Sequence, residues 1–498
     1  MLGFLLLVAR FWHPVFGLTA FLQLDASNDD VKIAAFHEQP VYVYRNTGGY
    51  DGLYYAQIAY NPTLTSPELA RAIDSPGYRE RRILPPALAW LIAAGNPAWI
   101  VHVYSALNVV AWLILSLLAW RLLGVSDTRG VVAWIGVMFS AGAMASVRFA
   151  LTDLIAVTFI AGALLAAERR RPHWAATTLV AATLSRETSL LAFVGLCDRP
   201  WLSRKNFVRG FVVAAPLVLW IFYVRAHVAN LEPGLGNFDW PFVSFIAKWR
   251  ANLAELAFAE PRYSWPTLGV TLGLTTQATY LAMRRNIDDR AWRIGAAYVV
   301  LMLCLGWIVW YGFPGAAARV LLPLTLAFNL CAHRARAGWF WLIVANLGVV
   351  SGVMTLADVH HDPREVAAVR SRGLACVATA NDGWYDRESS SRHAWFWSQG
   401  RAKLSVEAWP KADATVHLEF ELTSPTPRTV IIAQAGHELW RGTVSARRER
   451  QSVAVVLSAG RASLEFSSDG EPMRESPAAG ARPLAFALYD ARWVVTER

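Results

Sequence analysis

Long apolar blocks constrain this chain more than any other feature. Trp99–Trp120, Val131–Val147, Leu154–Ala167, Phe211–Val224, Ala291–Trp310, Val320–Cys331 and Trp339–Met354 are almost free of charge. Several reach the roughly 20 residues that a helix needs to cross a bilayer. With 55% hydrophobic and only 17% charged residues, the 498-residue chain is too apolar for an ordinary soluble domain. A net charge of +10 would suit nucleic acid, but the basic residues cluster in short loops between the blocks. Met1–Leu24 has no Lys or Arg ahead of its apolar run, and Arg10 interrupts that run. It reads as a retained first span or signal anchor rather than a cleaved signal peptide. Cys197, Cys304, Cys331 and Cys376 are scattered, with neither metal spacing nor an obvious disulfide pair.

The basic loops fix an orientation. Arg121–Arg129, Glu168–Arg171, Arg199–Arg209, Arg284–Arg293 and His333–Arg336 belong together on the cytoplasmic side. An alternating path through about ten or eleven membrane helices, half-helices included, places all five there. It leaves Asp25–Ile83 and everything after Ala357 outside. Trp174–Leu196 must start and end inside yet is too short for two spans, so it reads as two half-helices with Arg186 and Glu187 at the turn. Leu84–Ala93 is too short to cross and reads as a re-entrant or amphipathic element, with Pro85 or Pro86 suited to a helix start. In Trp240–Glu260, Phe242, Phe245, Ile246, Trp249, Leu253 and Leu256 recur at helical spacing, with Lys248 and Arg250 off that stripe. This fits a helix on the outer leaflet, or one packed on neighbouring spans.

The composition changes after Ala357. Residues 357–373 read as a polar linker, helical over His360–Arg372. In 374–498 the hydrophobic period becomes two: Val416, Leu418, Phe420 and Leu422 alternate with polar residues, as do Leu484, Phe486 and Leu488. Thr429–Ala433, Leu439–Val444, Ser452–Leu457 and Ala462–Ser467 are further strand candidates, separated by turn residues. The pattern predicts a β-sandwich.

On this path the polar groups next to the membrane converge on the outer side. Gly48-Gly49-Tyr50-Asp51-Gly52 sets one carboxylate on a glycine-flanked turn, followed by Tyr54 and Tyr55. Such a carboxylate can approach a substrate as a general base must, or simply close an Asx turn. Arg81, Arg82, Arg148, Asp153, Arg186, Glu187 and Arg319 fall on the same side, and arginine forks suit phosphate oxygens. Each has a plainer reading. Arg81, Arg82 and Arg148 can snorkel to headgroups, Asp153 can cap a helix, Glu187 can pair with an arginine, and Arg319 can mark a helix boundary. Their coincidence on one face carries the site reading, because charges at the membrane are tolerated where they share a wet cavity.

Tyr50-Asp51-Gly52-Leu53-Tyr54-Tyr55-Ala56-Gln57-Ile58-Ala59 and Tyr78-Arg79-Glu80-Arg81-Arg82-Ile83-Leu84-Pro85 resemble the first outer loop of bacterial C-type (GT-C fold) integral-membrane glycosyltransferases. Asp153, Arg186-Glu187-Thr188 and Arg319-Val320-Leu321-Leu322-Pro323 are similar to later marks of that family. The resemblance covers about residues 1–356, with 374–498 similar to accessory domains of some members. There Trp384, Trp395 and Trp397 would be sugar platforms. It implies an enzyme of the inner membrane with a periplasmic C-terminal domain. That enzyme would move a sugar, usually with inversion, from a polyprenyl-phosphate donor to a hydroxyl acceptor on a glycan or lipid. Asp51 would be the catalytic base, and Tyr54, Tyr55, Arg81, Arg82, Arg148, Asp153, Arg186, Glu187 and Arg319 would bind substrate or phosphate. The loop has no Asp-x-Asp pair, Asp29-Asp30 being the nearest carboxylates, so a divalent metal is not expected. Two other classes fit part of the pattern: a lipid or sugar transporter or flippase, which also uses broken helices and buried charge, and a non-catalytic sugar-binding scaffold.

Overall fold

The computed structural model describes residues 1–228, 235–258, 260–312, 315–359, 362–371, 373–478 and 480–494. The chain forms two compact units. The first comprises Met1–Trp12, Leu18–Ala34 and Val41–Val359, the second His13–Gly17, Ala35–Pro40 and His360–Arg498.

The first unit is helical. Among the described residues, three of its helical stretches are long and apolar enough to cross a membrane: Pro97–Leu123, Arg204–His227 and Trp339–Ala357. Thr128–Met138 and Ala141–Arg148 make a fourth if counted as one span bent by 43°. The first begins cleanly because the Asn96 side chain accepts the Ala98 N–H (3.0 Å) and Pro97 follows at the first helical position. Gly124 ends it with φ 60°. The expected Thr267–Met283 span lies within the 23-residue helix Pro261–Met283, and several of the others are shorter helices, as a count that includes half-helices allows. Ala291–Trp310 breaks at Leu305-Gly306, leaving Arg290–Cys304 and Trp307–Tyr311. A Cβ at Gly306 would lie 2.7 Å from the Gly236 carbonyl oxygen, so backbone meets backbone there. The expected Val320–Cys331 span is the helix Leu322–Arg334, started by Pro323. At the N-terminus, helix α1 (Leu2–Ala9) has 8 residues, about 12 Å of rise, and cannot be the expected first span. The apolar run is cut by Arg10 and then by Pro14.

Elsewhere the helical expectations meet the structure closely. Leu84–Ile92 is a short helix with prolines in its first turn. Pro172–Ser185 stops where Arg186 turns extended (φ −159°, ψ 126°), and a 3₁₀ segment, Glu187–Gly195, follows. The helix Val243–Phe258 forms as expected, with polar residues packing inward. Ser244, Lys248 and Asn252 are buried while Ile246 and Leu253 are exposed. Asn252 Nδ2 donates to Thr271 Oγ1 (2.8 Å) and Trp249 Nε1 to Thr275 Oγ1 (3.2 Å). Asn252 and Trp249 thus pack on Pro261–Met283, while Phe242, Ile246 and Leu253 face outward, as lipid solvent favours.

The second unit is a β-sandwich. The strands of its two main sheets are β1 (Glu365–Ser371), β2 (Leu374–Ala380), β3 (Glu388–Ser389), β4 (Ala394–Trp397), β5 (Arg401–Trp409), β6 (Ala414–Thr423), β7 (Arg428–Gln434), β8 (His437–Val444), β9 (Glu449–Leu457), β10 (Arg461–Ser468) and β11 (Ala487–Val494). Among the described residues, one sheet runs β8-β7-β10-β5-β2-β1 and the other β9-β6-β11-β4-β3. Every pairing within them is antiparallel. The alternating residues Val416, Leu418, Phe420 and Leu422 meet Leu404, Val406, Ile432 and Phe466 in one core. The expected linker helix over His360–Arg372 is corrected. Glu365–Ser371 is an edge strand paired with β2, and residues 360, 361 and 372 lie outside the described residues. The β-branched Val366 and Val369 favour a strand, and the adjacent Leu374–Ala380 supplies its ladder. Trp384 is a core residue, 9% exposed, against Phe466 and Phe486. It is no sugar platform, whereas Trp395 and Trp397 are half-buried.

Candidate active site

The site is built in the 24–83 loop. Asp25 pins the approach: its carboxylate accepts from Ser27 N (3.0 Å) and from Thr47 N and Oγ1 (both 2.8 Å). Burial pushes the Asp25 pKa up, but these bonds outweigh it and hold the group at about 2. Gly48 and Gly49 then turn the chain with φ 74° each. A Cβ at Gly49 would strike Asn28 Oδ1. Helix α2 (Gly52–Ile58) starts directly after Asp51, and Gly52 lies so close to the Phe149 carbonyl oxygen that a Cβ would collide with it. Glycine at 52 therefore lets the helix start sit on backbone, which fixes where Asp51 points. From the far end of α2, buried Gln57 accepts the Ile33 N–H (2.7 Å) and donates to the Val31 carbonyl (3.0 Å).

Asp51 faces Arg79, the last residue of helix α3 (Pro76–Arg79), with Nη2 to Oδ1 at 3.1 Å. The same guanidinium grips Asp74, through Nε and through Nη2 (2.8 Å), and lies 4.5 Å over the Tyr54 ring. Burial pushes the Asp51 pKa up. Arg79, then Arg319 and Arg82, more than offset it, so the carboxyl sits below its ordinary value. Glu80, next along, is 2% exposed, and burial alone pushes it up to about 7.

A second carboxylate joins from the helical core. Asp153 opens the helix Asp153–Glu168 and pairs with Arg186 Nη1 and with Arg319 Nη1 (3.7 Å). Arg319 Nη2 donates to Tyr50 Oη (2.6 Å), the residue before Asp51, so the two carboxylates belong to one network. Arg82 Nε reaches Glu187 Oε2 (3.1 Å), and its Nη1 donates to Tyr55 Oη (2.7 Å). Asp51, Asp74, Asp153 and Glu187 thus balance Arg79, Arg82, Arg186 and Arg319, a neutral network rather than the arginine excess expected. Among the described residues, Arg79 Nη1, Arg186 Nε and Arg319 Nε are buried without a hydrogen-bond acceptor. Each such donor costs about 1–3 kcal/mol unless an acceptor arrives.

The expected residues therefore divide. Asp51, Tyr54, Arg82, Asp153, Arg186, Glu187 and Arg319 come together. Tyr55 is 1% exposed and holds Arg82, so it supports the site and offers no ring face. Arg148 is buried among the rings of Phe11, Tyr44 and Phe149 at 4.9–5.4 Å and donates to Tyr44 Oη (3.3 Å); it braces the segment behind Gly52. Arg81 is half-buried and makes no ion pair among the described residues. Arg79, Asp74 and Tyr50 were missed. The spacing held a signal for Arg79: residues 79 and 82, three apart, share a side of a helical turn that residue 81 does not.

No protein-family model and no curated protein sequence matches the chain. Among solved structures, the chain is similar to the cryo-EM structure of arabinosyltransferase EmbB from Mycobacterium smegmatis, with 11% identity and a TM-score of 0.33. The match covers 88% of this chain and 62% of that one.

Proposed function

We propose that this chain is a membrane glycosyltransferase moving a sugar from a polyprenyl-phosphate donor to a hydroxyl acceptor at the outer, periplasmic face. The observation that carries the reading is a carboxylate kept ionised on a glycine-fixed turn, beside buried guanidiniums with N–H donors to spare. In a single displacement, the acceptor oxygen attacks the sugar's anomeric carbon while its proton passes to Asp51. The bond from that carbon to the phosphate oxygen breaks, and the configuration inverts. Arg319 and Arg186 receive the charge developing on the leaving phosphate, a role that rewards pre-placed donors. Asp153 positions both guanidiniums, Arg79 positions Asp51, and Arg82 with Glu187 fixes the floor beneath them.

The test is donor binding by the purified full chain. Polyprenyl monophosphate affinity should fall about 10-fold or more in Arg319→Met, as loss of a charge-assisted hydrogen bond predicts, with Arg319→Lys between the two. Equal affinity in all three would end the phosphate-holding role and the donor class with it.

A further inference from the structure

At the far end of the helices that carry Asp153 and Arg186, the structure holds a second charged cavity. The helix Asp153–Glu168 runs 16 residues away from Asp153, roughly 24 Å, and Pro172–Ser185 returns to Arg186. Between their distal ends and the starts of two further helices lies a cavity of about 330 Å³. Arg170, Lys205, Arg209 and Arg290 line it, against one carboxylate, Asp198. Asp198 is spoken for: it accepts from Arg209 Nη1 and Arg290 Nη2, both at 2.7 Å. Arg290 Nη1 also donates to the Gly195 carbonyl (2.9 Å), so both forks are held in place. Arg170 and Lys205 are exposed and have no ion pair among the described residues. Three helices start at this cavity, at Pro172, Arg204 and Arg290, and each adds a positive dipole end.

We propose that this cavity binds the phosphate of an anionic phospholipid headgroup. Two fixed guanidiniums and two free cations, less one carboxylate, leave a net charge that phosphate oxygens complement. Val208 and Val212, on the turns beside Lys205 and Arg209, are exposed at 56% and 48%. They offer an acyl chain a track leading away from the cavity, which a soluble phosphate would not use. The basic loops that set the orientation place the site at the leaflet opposite Asp51, where anionic lipids meet polybasic segments.

The experiment uses the full chain in neutral detergent and measures binding of phosphatidylglycerol, phosphatidylcholine and inorganic phosphate. The wild type is compared with Arg170→Glu/Lys205→Glu. Arg284→Glu/Arg285→Glu removes exposed charge from the same basic face without touching the cavity. Phosphatidylglycerol affinity should fall about 10-fold or more in the cavity variant, since each surface cation near an anionic lipid is worth about 1 kcal/mol. It should change less than about 2-fold in the control. Competition by inorganic phosphate would support headgroup recognition through the phosphate itself. Phosphate binding with no preference for phosphatidylglycerol over phosphatidylcholine would overturn the lipid. Equal losses in both variants, or none in either, would overturn the site. Thermal unfolding of both variants should match the wild type, since all four replaced side chains are exposed, and that match establishes that neither has misfolded.

Discussion

Substituting Glu80 by Gln isolates a buried proton on the residue that follows Arg79, the partner of Asp51. Burial raises the Glu80 pKa from 4.5 to about 7, and Oε2 has no hydrogen-bond partner among the described residues. The folded-state pKa lies above the unfolded one. Its contribution to stability is therefore whole below pH 4.5, fades as pH rises through 7, and is gone above. The shift corresponds to roughly 3 kcal/mol. Gln keeps the shape and stays neutral, so Glu80→Gln carries no such dependence. Tryptophan fluorescence can follow unfolding of the purified protein from pH 5 to 8.5. The wild-type Tm should fall by roughly 3–6 °C more than that of Glu80→Gln over this range. Parallel profiles would refute the argument, because they would mean that Glu80 is either hydrated or paired in the folded protein.

Two further outcomes follow from packing. Gly52→Ala should lower stability by about 2 kcal/mol or more and weaken the Asp51 site, since its Cβ would meet backbone atoms of Phe149 and Leu22 that have no room to yield; thermal unfolding measures it, and an unchanged Tm counts against a tight helix start. Phe420→Ala in the sandwich core, where Phe420 is 1% exposed, should cost about 3–5 kcal/mol, read by denaturant unfolding of that unit, and a cost below 1 kcal/mol would contradict the shared core.

Sequence patterning revealed the helical region, the strands from Val416 onward and the helix break at Arg186, because each rests on local periodicity or on charge inside an apolar run. It missed Leu374–Ala380, which is buried along most of its length and shows no alternation. It also missed Arg401–Trp409, where the inward positions include the small residues Ala402 and Ala408. The break within Ala291–Trp310 was not legible because it depends on tertiary contact: a Cβ at Gly306 would meet the backbone of Gly236, about 70 residues away. In the site, the glycine-flanked Asp51 was legible because glycine at that density signals constrained backbone. Its partner was not. Arg79, Arg81 and Arg82 look alike in sequence, and only the turn at Pro76–Arg79 decides that Arg79 meets Asp51 while Arg82 meets Glu187.

The proposed role of Asp51 is tested most directly by the Asp51→Asn variant. Asn keeps the size of the side chain and a hydrogen-bonding oxygen for Arg79 but cannot take the acceptor's proton. With a polyprenyl-phosphate sugar donor and a hydroxyl acceptor, turnover should fall by about 10² or more, the usual worth of a general base. Donor affinity should stay within about 3-fold of wild type, because the proposed mechanism gives the phosphate to Arg186 and Arg319. Near-normal turnover would contradict the account and remove Asp51 from the chemistry. Donor affinity lost in proportion to turnover would make it a residue that orients phosphate instead.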